Sequence, residues 1–359
     1  MAYESTNMNA PKLDGQALKR YVSKNIKENI FQKTLALPEK GVTEQFSTDT
    51  SASEIRIIRQ VAPDIKARQL GGAINGGYFN SNSAILPQSV EYGLKILYMI
   101  DDSVDFPTVM DEMVEVAVAD ATTKNVGGIV ARNINASTIA HQIASVVNAS
   151  IDGKGYNAIV MDSATSYKDA LLDANSLLDN GDTDNGIDIF PVDGRQGFLR
   201  NTARTGLLKS GNVIIGGSNY AQEMLARGVI SPDTYKQEHL EYFGEIDGVP
   251  MCVVGKPVWD LAEQYLVDST TDTKLTAGKL DNVEALVCAG ISTGRALAFN
   301  NEVKIIDCPR GQGKTAQYKY RWGVEVFTPK GIVPVLKNGT ALTDISANKL
   351  NVVAPASHS

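Results

Sequence analysis

The sequence predicts an α+β fold built on one long helix and closed by antiparallel strands. Three observations carry this. Val109, Met113, Val116 and Ala117 recur at helical spacing, and the rhythm resumes from Val130 through Ile134, Ile139, Ile143, Val146 and Val147. Two late runs, NEVKIID and AQYKYRWGVEVF, alternate as strands across a short Gly-rich turn. Between helix and strands, residues 181–280 mix short apolar runs such as NVIIGG and VPMCVVGKPV with helical stretches such as NYAQEMLARG and WDLAEQYLV, a mixed α/β region.

Taken in order, residues 1–48 form a polar N-terminal arm. Its LKRYVSKNIKENIF stretch places Leu18, Val22, Ile26 and Ile30 on one helical stripe, which needs a partner surface. Residues 49–105 read as an extended hairpin loop. Its arms are EIRIIRQV (54–61) and EYGLKILYMI (91–100), the second alternating at Tyr92, Leu94, Ile96, Tyr98 and Ile100. The stretch between them, LGGAINGGYFNSNSAILPQS, is too long and too rich in Gly, Asn and Ser for an ordinary connection. Residues 106–180 hold the helices: Pro107 suits a first helical turn, and SYKDALLDANSLLDN (166–180) is a second helix. Gly127 and Gly128 are expected to break or bend the long helix, each costing about 1 kcal/mol relative to Ala. Residues 281–345 bring EALVCAG, a short helix-like ISTGRALAF and the closing strands, and 346–359 form a tail. No internal repeat is visible.

Composition narrows the function. A chain of 359 residues with 43% hydrophobic residues buries a substantial core. No apolar run approaches a bilayer's thickness, and MAYESTNMNAPKLDG lacks the apolar core of a signal peptide, so neither a membrane span nor export is expected. Cys252, Cys288 and Cys308 lie far apart without metal-ligand spacing and read as reduced, buried thiols. The net charge of −7 argues against a nucleic-acid binder as a whole. Residues 1–45 nonetheless carry seven Lys/Arg against five Asp/Glu, a basic and solvated arm on an acidic body.

Four stretches invite a chemical reading. The first, CPRGQGKT, fits a phosphate-binding loop at Gly313, Lys314 and Thr315. Cys308 stands at the first-glycine position, Pro309 removes a backbone donor, and a strand pattern follows where a helix must. A hairpin turn explains it better. The second, Gly290-Ile291-Ser292-Thr293-Gly294, matches G-x-S-x-G and makes Ser292 a candidate nucleophile, with Asp307 as a candidate acid. The histidine downstream of it, His358, lies on the polar tail, so a serine hydrolase is the weaker reading against a small-residue turn. The third is the acidic run with Asp179, Asp182, Asp184 and Asp188, which lacks the Gly and Glu of a calcium loop and reads as turn chemistry. The fourth, LGGAINGG (70–77), reads as a flexible tip, and His141 within the helical pattern as a packed or surface residue. No catalytic, cofactor-binding or metal-binding residue is expected.

The order of segments resembles the major capsid protein of tailed bacteriophages, the Hong Kong 97-type fold. The stretch EALVCAGISTGRALAFNNEVKIIDCPRGQGKTAQYKYRWGVEVFTPKGIVPVL resembles that family's ending in the peripheral-domain sheet. Residues 244–258, GEIDGVPMCVVGKPV, resemble a strand-turn of its mixed α/β axial domain; the hairpin region resembles its extended loop and 107–150 its spine helix. The resemblance implies a structural subunit assembling through pentamers and hexamers into an icosahedral head around double-stranded DNA. It implies a virion protein assembled in the host bacterial cytoplasm, with scaffolding, portal and decoration proteins as partners and non-specific contact with packaged DNA. The chain opens at Met1 without the long helical pro-segment of some members, so a separate scaffolding protein, or none, is expected. Arg56, Arg59, Lys66 and Arg68 on the hairpin are the expected subunit-interface residues, facing an acidic neighbour. An encapsulin-type compartment shell is the alternative within the same fold.

Overall fold

In the computed structural model, the described residues are 24, 26, 43–47, 54–60, 92–98, 100–108, 116–185, 187–209, 242–299, 304–307 and 314–353. They form a mixed α/β structure of two larger sheets and a long helix.

The strands β1 (Thr43–Ser47), β2 (Glu54–Gln60), β3 (Tyr92–Tyr98) and β4 (Ile100–Thr108) precede helix α1 (Val116–Ile151). Then come β5 (Ile159–Val160), α2 (Tyr167–Leu178), β6 (Arg195–Leu199), α3 (Asn201–Lys209), β7 (Tyr242–Ile246), β8 (Val249–Val253), α4 (Lys256–Tyr265) and β9 (Leu266–Asp268). The chain continues through β10 (Val283–Ala289), β11 (Thr293–Phe299), β12 (Lys304–Asp307), β13 (Lys314–Val326), β14 (Ile332–Leu336), α5 (Leu342–Ile345) and β15 (Leu350–Val352).

The 13-residue β13 organises a five-stranded sheet. Strand β4 runs antiparallel along one edge, from Ile100 opposite Trp322 to Thr108 opposite Lys314. Strands β11 and β12 follow one another along the other edge, and β1 adds in parallel to β11. The GQGK stretch therefore connects paired strands: Asp307 stands opposite Lys314, the first residue of β13, although 311–313 lie outside the described residues.

The second sheet has the order β5-β14-β10-β6-β8-β7 and is covered on both faces. Along β10, Leu286 and Cys288 face one core while Ala285, Val287 and Ala289 face another; on β14, Ile332 and Leu336 part from Val333 and Val335 in the same way. This is the period-2 alternation of a strand applied to a sheet with two buried sides, so β10 reads as an unbroken apolar run. The first core joins that face to α1, α4 and the aromatic row Tyr318, Tyr320 and Trp322 of β13. The second lies under α2 and α3. Gly206 lets these two helices approach, because a Cβ there would stand 2.2 Å from the Tyr167 ring. The β7–β8 connection is Asp247-Gly248, both at positive φ (54° and 74°), the backbone that a two-residue hairpin favours.

Four sequence expectations change. The helix does not begin at Pro107; that residue pairs with Thr315 inside β4, where the strand's edge position tolerates the missing donor on one side. Nor do Gly127 and Gly128 interrupt α1, which runs unbroken for 36 residues, about 54 Å at 1.5 Å per residue. From Val130 to Ala149 that helix is buried on nearly all sides, and tertiary packing outweighs the local glycine cost. The ISTGRALAF stretch is a single 3-10 turn, Gly290–Ser292, followed by strand β11, since β13 offers Thr293–Phe299 a full ladder. The WDLAEQYLV stretch is helical only to Tyr265; Leu266 and Val267 turn into β9, which pairs with β15. The amphipathic stripe in the N-terminal arm does find its surface at one point: Ile26 is fully buried within the first core.

Candidate functional site

Ser292 is fully buried, and its hydroxyl donates to the Ala289 carbonyl oxygen at 2.5 Å. Gly331 lies against it so tightly that a Cβ would stand 2.6 Å from the Ser292 Cβ. The turn leads from strand to strand, not into a helix, so the hydroxyl is sealed inside a sheet corner rather than presented at a cleft. His141 sits on α1 with Nδ1 2.8 Å from the Ser137 carbonyl, and burial holds its pKa below the ordinary value. Among the described residues no hydrogen bond joins a histidine to Ser292; His239 and His358 lie outside them.

The acidic run works as a clamp. Asp182 is almost fully buried and accepts from the Thr328 hydroxyl, while Lys330 Nζ lies 3.1 Å from Asp182 Oδ1 and 2.8 Å from Asp184 Oδ2. Asp179 pairs with Arg195 at 2.7 Å. These carboxylates are held by cations and hydroxyls of the chain itself, and among the described residues no group of three or more His, Cys, Asp or Glu side chains converges to hold a metal ion.

Three buried charge networks carried no recognisable sequence signal. Arg195, fully buried, donates to the Phe190 and Asn175 carbonyls, to Asn175 Oδ1 at 2.5 Å and to Asp179, while Asn175 donates to Asp247 at 2.8 Å. Arg200 donates to the Val283 and Leu280 carbonyls, pairs with Asp281 at 3.0 Å and lies 4.6 Å above the Trp259 ring. Arg295, buried between β11 and α1, donates to Thr138 Oγ1 at 3.4 Å, and burial pulls its pKa down to about 9. Arg195 and Arg295 stand at or within strands and Arg200 just after one, and nothing in the local sequence says where their partners lie. Of the cysteines, Cys252 accepts from Gln196 at 3.1 Å and Cys288 has its thiol pKa pushed up by burial; both are unreactive core residues, and Cys308 lies outside the described residues.

Of the expected interface residues, Arg56 and Arg59 stand on β2, opposite Ile96 and Gly93 of β3. Lys66 and Arg68 lie outside the described residues, as does the 70–77 tip. The β2–β3 pair forms a two-stranded sheet of its own, joined to neither larger sheet by a ladder. The residues that sequence reading offered for chemistry are thus separated: Ser292 in a corner, Lys314 in a strand, the acidic run in a clamp.

No family model and no curated protein matches the chain. Solved structures do. The capsid structure of the cyanophage P-SCSP1u is similar at a TM-score of 0.47 and 13% identity, over 85% of this chain and 90% of that one. The capsid of Ralstonia phage GP4 is similar at a TM-score of 0.47 and 10% identity, over 87% and 91%. A virus-like particle from Pyrococcus furiosus is similar at a TM-score of 0.44 and 9% identity, over 88% and 97%. Phage capsid structures and a virus-like particle are thus among the solved structures to which this chain is similar.

Proposed function

We propose that the chain is a structural shell subunit that assembles through pentamers and hexamers into the icosahedral head of a tailed bacteriophage and encloses double-stranded DNA. The observation that carries this reading is the separate β2–β3 hairpin. Two strands alone are marginal in water, and this pair is dense in Ile, Leu and Tyr, so its stability calls for another surface. A subunit whose hairpin is completed by its neighbour self-associates, and head-to-tail contacts of that kind close into rings. The order of elements supports the same reading: hairpin, then a 36-residue helix, then a two-faced sheet, then a long closing strand. Arg195, Arg200 and Asp182 are each held by partners within the chain, which suits a scaffold better than catalysis.

In this reading Arg56, Arg59, Lys66 and Arg68 reach the acidic surface of an adjacent subunit, and the basic N-terminal arm contacts packaged DNA without sequence preference. Scaffolding, portal and decoration proteins are the further partners.

Negative-stain electron microscopy of the purified chain at low and moderate salt tests it. Hollow polyhedra, or free rings of five and six, are the expected result; uniform small globules at every salt concentration would overturn the reading. Co-purifying DNA, as against a protein cargo, separates a phage head from an encapsulin-type compartment.

A further inference from the structure

Four Asn-Gly pairs occur in the chain, at 75–76, 180–181, 185–186 and 338–339. Glycine after asparagine leaves the side-chain amide open to attack by the next backbone nitrogen, because no Cβ blocks the approach. The pairs at 75–76 and 185–186 reach outside the described residues. The other two each follow the end of an element, α2 and β14, and the structure treats them differently. Asn180 is exposed, but Gly181 is buried. The Gly181 amide donates to the Leu178 carbonyl at 3.3 Å, and a Cβ there would stand 2.2 Å from the Asp188 carbonyl oxygen. The peptide unit that would have to rotate is wedged beneath residues 187–188, and its proton is already donated. Asn338 and Gly339 are both exposed, in the turn between β14 and α5. Around Gly339 nothing stands within 4 Å of a Cβ position, and no hydrogen bond among the described residues takes up its amide. That turn is closed from outside the pair, by the Thr340 amide and hydroxyl donating to the Lys337 carbonyl at 3.2 and 2.7 Å.

We infer that Asn338 is a site of spontaneous deamidation in the folded protein and that Asn180 is protected from it. The inference is independent of the shell reading. Water or hydroxide takes the Gly339 amide proton, and the freed nitrogen bonds to Asn338 Cγ. The Cγ–Nδ2 bond then breaks, ammonia leaves with the proton returned to it, and a succinimide remains. Water adds to one of the two ring carbonyls, giving aspartate or isoaspartate at 338; no oxidant or reductant takes part. Either product adds one negative charge to a chain whose net charge is −7. The new carboxylate adjoins Lys337, whose ammonium lies 3.5 Å from the buried Glu284 carboxylate, so that ammonium is offered a second anion. Isoaspartate also routes the backbone through the former side chain, one carbon longer, inside the turn that Thr340 closes. The turn thus records the age of the protein as charge and as backbone length.

The test holds the full chain, folded, in mildly alkaline buffer and follows both sites over time by peptide mass mapping, with isoaspartate detected separately. A parallel sample in urea gives the unfolded reference. In the folded sample Asn338 is expected to convert about tenfold faster than Asn180 or more, and in urea the two are expected to convert at similar rates. If Asn180 keeps pace with Asn338 in the folded chain, the burial of Gly181 does not protect it and the inference is overturned. If Asn338 converts far more slowly folded than in urea, the turn shields it and the inference is again overturned. Asn338→Gln, whose side chain is one carbon too long for ready ring closure, is expected to remove the signal and to melt with the wild type. A signal in the same peptide that survives this change comes from another residue and overturns the assignment.

Discussion

Arg195 shows how much of this fold depends on single charges placed inside it. Its guanidinium has no exposure, and four of its five hydrogen bonds go to neutral groups, the Phe190 and Asn175 carbonyls and Asn175 Oδ1; only Asp179, half exposed, supplies opposite charge. The two ends of the pair are therefore unequal. Arg195→Met is expected to cost about 3 kcal/mol, because it orphans several buried acceptors at once. Asp179→Asn is expected to cost less than about 1 kcal/mol, since water screens that carboxylate and the arginine keeps its other acceptors. Urea midpoints of the two variants measure this, and equal losses would mean that the ion pair, not the neutral acceptors, dominates. Lys330 gives a pH signature. The Asp184 and Asp182 carboxylates beside it hold its pKa above the ordinary 10.5. The folded state thus binds this proton more tightly than the unfolded chain does. Its contribution is fully present below pH 10.5 and is lost as pH rises through the folded value. Lys330→Gln is expected to be less stable at pH 8 and to converge on the wild type as pH rises through the folded pKa. Melting temperatures across that range would reveal a constant gap if the clamp were not titrating.

At the scale of elements, local sequence signals succeeded where they were self-contained. Helix α2 begins where Ser166 caps it: the Asp169 amide donates to Ser166 Oγ at 3.1 Å, and the hydroxyl donates back to the Asp169 carboxylate at 2.7 Å. Ser166→Ala is expected to cost about 1 kcal/mol and Ser166→Asp almost nothing, measured by thermal unfolding. Strands β3 and β13 were legible for the same reason, a period of two along the strand. The start of α1 was not. Phe106-Pro107-Thr108 follows helix-start convention, yet β13 extends far enough to capture it as strand, and nothing near residue 107 announces a partner two hundred residues away. The same distance hid the partners of the buried arginines: Arg200 donates to Leu280 and Val283, and Arg295 to Thr138. The G-x-S-x-G match failed in the opposite direction. Its local pattern was complete, but Gly331, far along the chain, closes over Ser292, whose hydroxyl is taken up by the Ala289 carbonyl.

For the molecule as a whole, the central question is whether two cores behave as one. Strand β10 answers it by construction, because successive residues enter different cores: Leu286 and Cys288 the one under α1, Ala285, Val287 and Ala289 the one under α2. No loosening of one core leaves the other's strand in register, since a strand cannot shift one face without shifting both. The chain's two tryptophans, Trp259 and Trp322, are both buried in the first core and neither lies in the second. Their fluorescence therefore reports one core alone. Val287→Ala removes packing only from the other, at a cost of about 1–3 kcal/mol, yet it is expected to lower the tryptophan transition as far as it lowers the circular dichroism transition. Leu286→Ala, which truncates the first core directly, is expected to move both probes together by about 2–5 kcal/mol. If Val287→Ala shifts the circular dichroism midpoint while tryptophan fluorescence stays at the wild-type value, the cores are separate folding units and β10 is a seam between them. Coincident transitions would make the sheet a rigid link between the long helix and the α2–α3 layer, so that load applied at either side is borne by both.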